Sequence, residues 1–329
     1  MRALQLVSKQ HFEWIDLPEP GPPGPGEVLV AVHAMGVCGT DISGWLGKMP
    51  FITFPRILGH ELGVEVLAIG SEVDHLRPGD RCAVEPYLNC GTCHSCRQGR
   101  TNCCEKLKVL GVHCDGGLRE RLLLPACRLH PDNALACEQL ALVETLAIGC
   151  HAVDRARPGP DEDILIIGAG PIGLSVLEFA RLASKRVTVL ETGAARRAFV
   201  ERHYPGVSVV AELPDEPCAQ IVFDATGSAA AMAGALRHAR FTGRVIYVGI
   251  TSEPVPLDDP LFHRRELSLL ASRNALGPDF PRILGLIRSG RIDTRPWISH
   301  RASWNLLPES LAAWTAPGSG VIKAVALVD

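Results

Sequence analysis

Asp163-Ile-Leu-Ile-Ile-Gly168-Ala-Gly170-Pro171-Ile172-Gly173 is the stretch that decides the fold. Its first half is an apolar run of strand length. Gly168, Gly170 and Gly173 then fit G-x-G-x-x-G, and a helix-compatible segment continues to Ala183. A strand, a glycine turn and a helix in that order let backbone approach a pyrophosphate, whose charge sits at the helix N-terminus. Pro171 and Ile172 belong to the same cradle. Arg186-Val-Thr-Val-Leu190 reads as the next strand. Glu191 ends it roughly 20 residues after the loop, where an acid accepts the ribose 2′-hydroxyl. A carboxylate there repels a 2′-phosphate, which favours NAD over NADP. Arg196 and Arg197 follow, either as cofactor contacts that soften this preference or as a solvated helix face.

The alternation continues outward. Strands at Ile221–Asp224, Arg244–Gly249 and Leu267–Ser272 imply a parallel sheet of α/β class. Before Arg157-Pro-Gly-Pro160 the pattern changes. Short β-type runs at Val28–His33, Gly63–Ile69, Arg81–Val84 and Leu118–Leu124 are separated by turns such as Pro78-Gly79 and Gly116-Gly117. They read as an irregular antiparallel domain. Helices are expected at Pro281–Ser289 and Pro308–Trp314, and a last strand at Val321–Val328 returns to the first domain. The expected division is 1–147 for the β-rich domain with a cysteine lobe at about 88–106, 148–274 for the nucleotide domain, and 275–329 for a segment completing the first.

The 329 residues carry a net charge of −3, with no basic block suited to nucleic acid. No apolar run reaches the roughly 18 residues of a membrane helix. The opening MRALQLVSKQHFEW lacks the apolar core of a signal peptide, so a cytoplasmic protein is expected. Twelve cysteines there point to metal or catalysis rather than disulfides. Cys90, Cys93 and Cys96, closed by Cys104 after a gap of seven residues, have the spacing of a structural Cys₄ zinc site. Gly91 and Gly99 permit the tight turns that aim successive sulfurs inward. On spacing alone Cys103 is an alternative to Cys104. A ferredoxin run would instead end with a three-residue gap and Cys-Pro. His94 reads as a solvated lobe residue. Cys82, Cys127, Cys137 and Cys218 read as small buried hydrophobes.

A second, looser set has mixed chemistry: Cys38 in Gly-Val-Cys-Gly-Thr40-Asp41, His60 and Glu61 in Gly-His-Glu, and Glu144 before a helical stretch. Thiolate, imidazole and carboxylate are the donors of a catalytic zinc that keeps one coordination position open. Asp41 is the candidate acceptor for the second N–H of His60. Singly, a cysteine near glycine is most often buried and a Gly-His-Glu is most often a turn. Only the combination carries weight.

Together these motifs resemble the zinc-containing medium-chain dehydrogenase/reductase superfamily over nearly the whole chain, closest to its sorbitol and threonine dehydrogenase branch. The resemblance implies a GroES-like catalytic domain, a doubly wound Rossmann domain and an active site in the cleft between them. It implies two zinc ions per chain, one catalytic and one structural, NAD as cofactor, and a homodimer or homotetramer. Cys38 and His60 become catalytic ligands, and either Glu144 is the third or Glu61 is, with Glu144 then holding a zinc-bound water. Thr40 matches the proton-relaying hydroxyl. Arg273 and Lys323 either match cleft and pyrophosphate contacts or are ordinary surface charges. The implied reaction is reversible hydride transfer from a small polar secondary alcohol: a polyol, sugar or sugar acid, or alternatively a 3-hydroxy amino acid such as threonine. A non-catalytic NAD-binding zinc protein is the alternative of another class. Three departures stand out: Ser43 where liver-type enzymes end their relay in histidine, Thr145 where proline is usual, and a shortened Val207–Gln220 whose Glu212–Pro217 stretch replaces a Rossmann helix.

Overall fold

The computed structural model describes residues 1–316 and 318–328. It divides into two compact units, Met1–Glu144 together with the chain from Leu276 onward, and Thr145–Ala275.

The first unit is built on a seven-stranded sheet. Its order is Leu129–Pro131, Arg81–Val84, Glu61–Ile69, Glu27–Val37, Lys323–Leu327 and Ile298–Ser303, with Arg121–Pro125 also paired to Glu27–Val37. Val28, Val30, Val32 and Ala34 alternate into the core, as a half-covered antiparallel strand requires. The strand outruns the sequence expectation and reaches Val37, because Gly36 is paired on both sides, with Glu61 and with Val325. The last strand does return to this sheet, antiparallel to Glu27–Val37. Trp297 and Trp304 anchor the returning segment. Full burial of one large apolar side chain is worth roughly 1.5–3 kcal/mol.

The second unit is a six-stranded sheet in the order Ser208–Val210, Val187–Leu190, Ile164–Ile167, Ala219–Asp224, Ala239–Tyr247 and Ser268–Ala271, parallel throughout. This doubly wound order places Ile164–Ile167 centrally and buries all four of its residues. No helix joins Ser208–Val210 to Ala219–Asp224 among the described residues. Leu213 and Cys218 of that linking loop pack instead on the cluster formed by Leu165, Val222, Leu236 and Val245. The helix Cys137–Ala156 runs unbroken past Thr145, consistent with the missing proline there.

One cysteine reading needs correction. Cys82 is buried, but Cys127 is exposed in a short 3₁₀ turn, and Cys137 and Cys218 are only half-buried. Cys127 shares its turn with the buried Ala126, so the turn directs one neighbour inward and the next to solvent. Among the described residues, no helix is long and apolar enough to cross a membrane.

Candidate metal centres and dinucleotide loop

The mixed set forms where two strands and a turn meet. Cys38 follows the long strand and caps the helix Gly39–Trp45, and its N–H donates to Asp41 Oδ2 at 2.9 Å. Thr40 is half-buried in the first turn of the same helix. His60 follows Gly59, whose φ is +104°; a Cβ at 59 would lie 2.9 Å from Met35 Sδ and 3.3 Å from Gly117 N. Only glycine turns the chain there. Glu61 then opens the next strand directly opposite Gly36. A Cβ at Gly36 would lie 2.1 Å from Glu61 Oε2, so the missing side chain is what admits the carboxylate.

The ligand atoms of Cys38, His60 and Glu61 all lie within 4.8 Å of one another. Glu144 falls outside that group. It is buried in the helix Cys137–Ala156, and the Tyr87 hydroxyl donates to its Oε1. Lys323, matched by resemblance to a pyrophosphate contact, pairs with Glu61. It is 2% exposed, with Nζ at 2.6 and 2.5 Å from the two oxygens of Glu61, itself 1% exposed. A buried ammonium survives only beside such a counter-charge. His60 Nδ1 lies 3.7 Å from Asp41 Oδ1, and neither atom has a hydrogen-bond partner among the described residues.

Burial and charge act against each other here. Burial would lower the His60 pKa, but Asp41 and then Cys38 raise it well above its ordinary value. Burial raises Asp41 despite His60, and raises Glu144 despite the same imidazole. Burial would lower Lys323, yet Glu61 holds it above the usual lysine value. One thiol, one imidazole and a carboxylate converging on one point suit a borderline divalent ion such as zinc. The unsatisfied Nδ1–Oδ1 pair fits the outer support of a metal-binding histidine.

The four-cysteine lobe is a separate centre. The sulfurs of Cys90, Cys93, Cys96 and Cys104 lie within 4.8 Å of one another. Cys104 Sγ is 3.5 Å from Cys90 Sγ and 3.9 Å from Cys93 Sγ. Tetrahedral zinc with bonds of about 2.3 Å sets ligands about 3.8 Å apart. Cys104 is buried whereas Cys103 is exposed, so the structure brings Cys104 into the set. Backbone N–H groups of Cys93 and Lys106 donate to Cys90 and Cys104 sulfurs. Backbone hydrogen bonds from Thr92 and Cys93 lower the Cys90 pKa to about 6, and burial pushes Cys104 up to about 11. His94 is exposed at the start of a one-turn helix.

In the second unit, Gly168 has φ +94° and Gly170 caps the helix Pro171–Ala183, with Pro171 in its first turn and Ile172 after it. Glu191 accepts from the N–H of Ala169 and of Gly193, each at 2.7 Å, tying the loop to the end of the second strand. Arg196 Nη1 stands 3.9 Å from Glu191 Oε2 and beside Gly170. Arg197 donates to the carbonyls of Glu191 and Thr192. Arg273 is exposed just past the edge strand. The reading of residues missed Tyr87 and the Glu61 partnership of Lys323. Neither carries a local signal, since Tyr87 and Glu144 are 57 positions apart and Lys323 and Glu61 are 262 apart.

Comparison with known proteins bears on this geometry. Residues 24–134 match the alcohol dehydrogenase GroES-like domain, and residues 164–289 the zinc-binding dehydrogenase domain. The chain is 37% identical to L-galactonate-5-dehydrogenase of Escherichia coli K12, over 92% of each protein. It is 32% identical to L-arabinitol 4-dehydrogenase of Aspergillus oryzae, over 91% of this chain and 85% of that one. Among solved structures, the rspB alcohol dehydrogenase of Escherichia coli CFT073 complexed with NADH superposes with TM-score 0.91 at 25% identity, over 100% and 99% of the chains. A zinc-binding dehydrogenase of Sinorhizobium meliloti 1021 bound to NADP gives 0.88 at 29%, over 99% of each.

Proposed function

The chain belongs to the zinc-binding alcohol dehydrogenase family, and we propose that it interconverts a secondary alcohol of a polyol, sugar or sugar acid and the corresponding ketone, with NAD as the preferred hydride acceptor. The observation that carries this reading is the convergence of Cys38, His60 and Glu61 within 4.8 Å in a chain that also holds a dinucleotide loop. Sugar-acid and polyol relatives support the substrate class.

Cys38, His60 and Glu61 would hold one zinc, with Glu144 beside them, and Cys90, Cys93, Cys96 and Cys104 a second. When bound, the first ion supplies Lewis acidity to the alcohol oxygen and the nicotinamide accepts the hydride. Asp41 fixes the ring of His60 from behind. The Thr40 hydroxyl takes the proton that the alcohol releases and passes it towards solvent. The loop Gly168–Gly173 cradles the pyrophosphate, and Glu191 accepts from the ribose. The Glu191 carboxylate supports NAD over NADP, and Arg196 beside it would offer a 2′-phosphate a counter-charge. Residues 1–147 and 275–329 form the catalytic domain and 148–274 the cofactor domain of a homodimer or homotetramer.

Metal analysis and an NADH absorbance screen over polyols, aldonates and hydroxy amino acids test the reading. The expected result is about two zinc ions per chain and reduction of NAD⁺ with a polyol or aldonate. Cys38→Ser should abolish turnover while NADH binding persists. Unchanged turnover in that variant refutes the assignment.

A further inference from the structure

Two buried carboxylates flank the Cys38–His60 pair, and they are restrained differently. Glu61 faces a cation, the ammonium of Lys323. Among the described residues Glu144 faces a neutral donor, the hydroxyl of Tyr87, on one oxygen. Tyr87 is 2% exposed and sits on a two-residue strand in register with Val109. Its ring meets Phe280 edge-on at 6.4 Å, and Phe280 stacks on His130 at 4.8 Å. His130 Nε2 in turn lies 3.5 Å from Glu85, which also pairs with Arg128. A ring held on this scale keeps its rotamer, so the hydroxyl is aimed before any ligand arrives.

We propose that Tyr87 is a positioning residue of the alcohol-oxidising site: its hydroxyl ties down Glu144 Oε1, keeping that carboxylate outside the Cys38–His60–Glu61 ligand set and leaving Oε2 as a hydrogen-bond acceptor for the substrate. This rests on the metal reading of Cys38 and His60. The chemistry is a competition. A buried carboxylate left without its donor takes the strongest partner in reach, and beside Cys38 and His60 that partner is a divalent ion. Glu144 without Tyr87 would then fill the position meant for the alcohol.

The test uses the full-length protein loaded with Co²⁺, whose visible d–d absorption weakens as its coordination number rises. Cys38→Ser identifies which part of the wild-type spectrum belongs to this site. Tyr87→Phe keeps the ring and its packing on Phe280. It should weaken that part of the spectrum and lower kcat about tenfold, the scale of one lost charge-assisted hydrogen bond. The double variant Tyr87→Phe/Glu144→Gln should regain the wild-type spectrum while remaining slow. A Tyr87→Phe protein whose Cys38-dependent spectrum matches the wild type overturns the proposal, whether or not kcat falls. A wild-type spectrum that Cys38→Ser leaves unchanged overturns the metal reading and the tether together.

Discussion

Gly173→Ala probes how the nucleotide loop is packed. A Cβ at 173 would lie 1.8 Å from Gly168 O and 2.8 Å from Gly168 C, both backbone atoms. Carbon contacts settle near 3.5 Å, so the loop must retreat by roughly 1.5 Å. Overpacking of that kind costs about 1–3 kcal/mol, while alanine gains about 1 kcal/mol over glycine inside a helix. The net loss of stability is therefore modest, about 0–2 kcal/mol. Cofactor binding should suffer more, because the displaced Gly168 backbone is part of the loop proposed to approach the pyrophosphate; a tenfold weaker Kd corresponds to about 1.4 kcal/mol. Gly170→Ala separates the two effects. Gly170 has φ −70°, and the nearest atom to its Cβ is Arg196 Nη1 at 3.8 Å. This variant should melt like the wild type yet bind NADH weakly, since its methyl occupies the side where backbone meets phosphate. NADH fluorescence titration and thermal melts with and without NADH measure both quantities. Wild-type NADH affinity in Gly173→Ala, or a melting point several degrees lower in Gly170→Ala, refutes the packing argument.

In the metal-free protein, Lys323→Met leaves the Glu61 carboxylate buried without its cation and should lose about 3–5 kcal/mol at pH 7, read by denaturant unfolding; Lys323→Met/Glu61→Gln should recover most of it. Because the folded lysine pKa is raised, this stabilisation is complete below the ordinary lysine pKa of about 10.4 and fades as pH climbs through the folded value. The wild type should therefore lose its advantage over Lys323→Met on alkaline titration, and a constant difference up to strongly alkaline pH contradicts the pairing. In the cysteine lobe, Cys104→Ser should cost one zinc per chain whereas Cys103→Ser should retain the wild-type content, as measured by metal analysis. Zinc uptake by the stripped protein near pH 8 should release protons, because Cys104 is pushed up to about 11 and must ionise to bind; a pH-stat trace without proton release argues against Cys104 as ligand.

How far the sequence reaches differs between the parts of the molecule. The strand–Gly168–helix unit was legible because every cue is local: an apolar run, a glycine pattern and an acid at a fixed interval. The same holds for Cys90, Cys93, Cys96 and Cys104, which lie within fifteen positions. The choice between Cys103 and Cys104 was not legible, because the 3₁₀ turn Thr101–Cys103 turns one sulfur outward and the next inward. Cys127 misled for a related reason, since small apolar composition does not reveal that a residue rides on a turn. The long strand ended later than its pattern suggested because Gly36 gains partners from both sides, one of them nearly 300 positions away.

Local sequence thus determined which chemistries this protein carries: a dinucleotide cradle, four clustered thiols, and a thiol, an imidazole and carboxylates suited to a divalent ion. Tertiary structure alone decided how two of the buried carboxylates find their partners, with Lys323 on Glu61 and Tyr87 on Glu144, whereas Asp41 behind His60 was already suggested by the motifs. The reason is physical. Hydrophobic periodicity and turn chemistry act over a few residues, whereas a charge removed from water is stabilised by whichever opposite group the folded chain brings within about 4 Å.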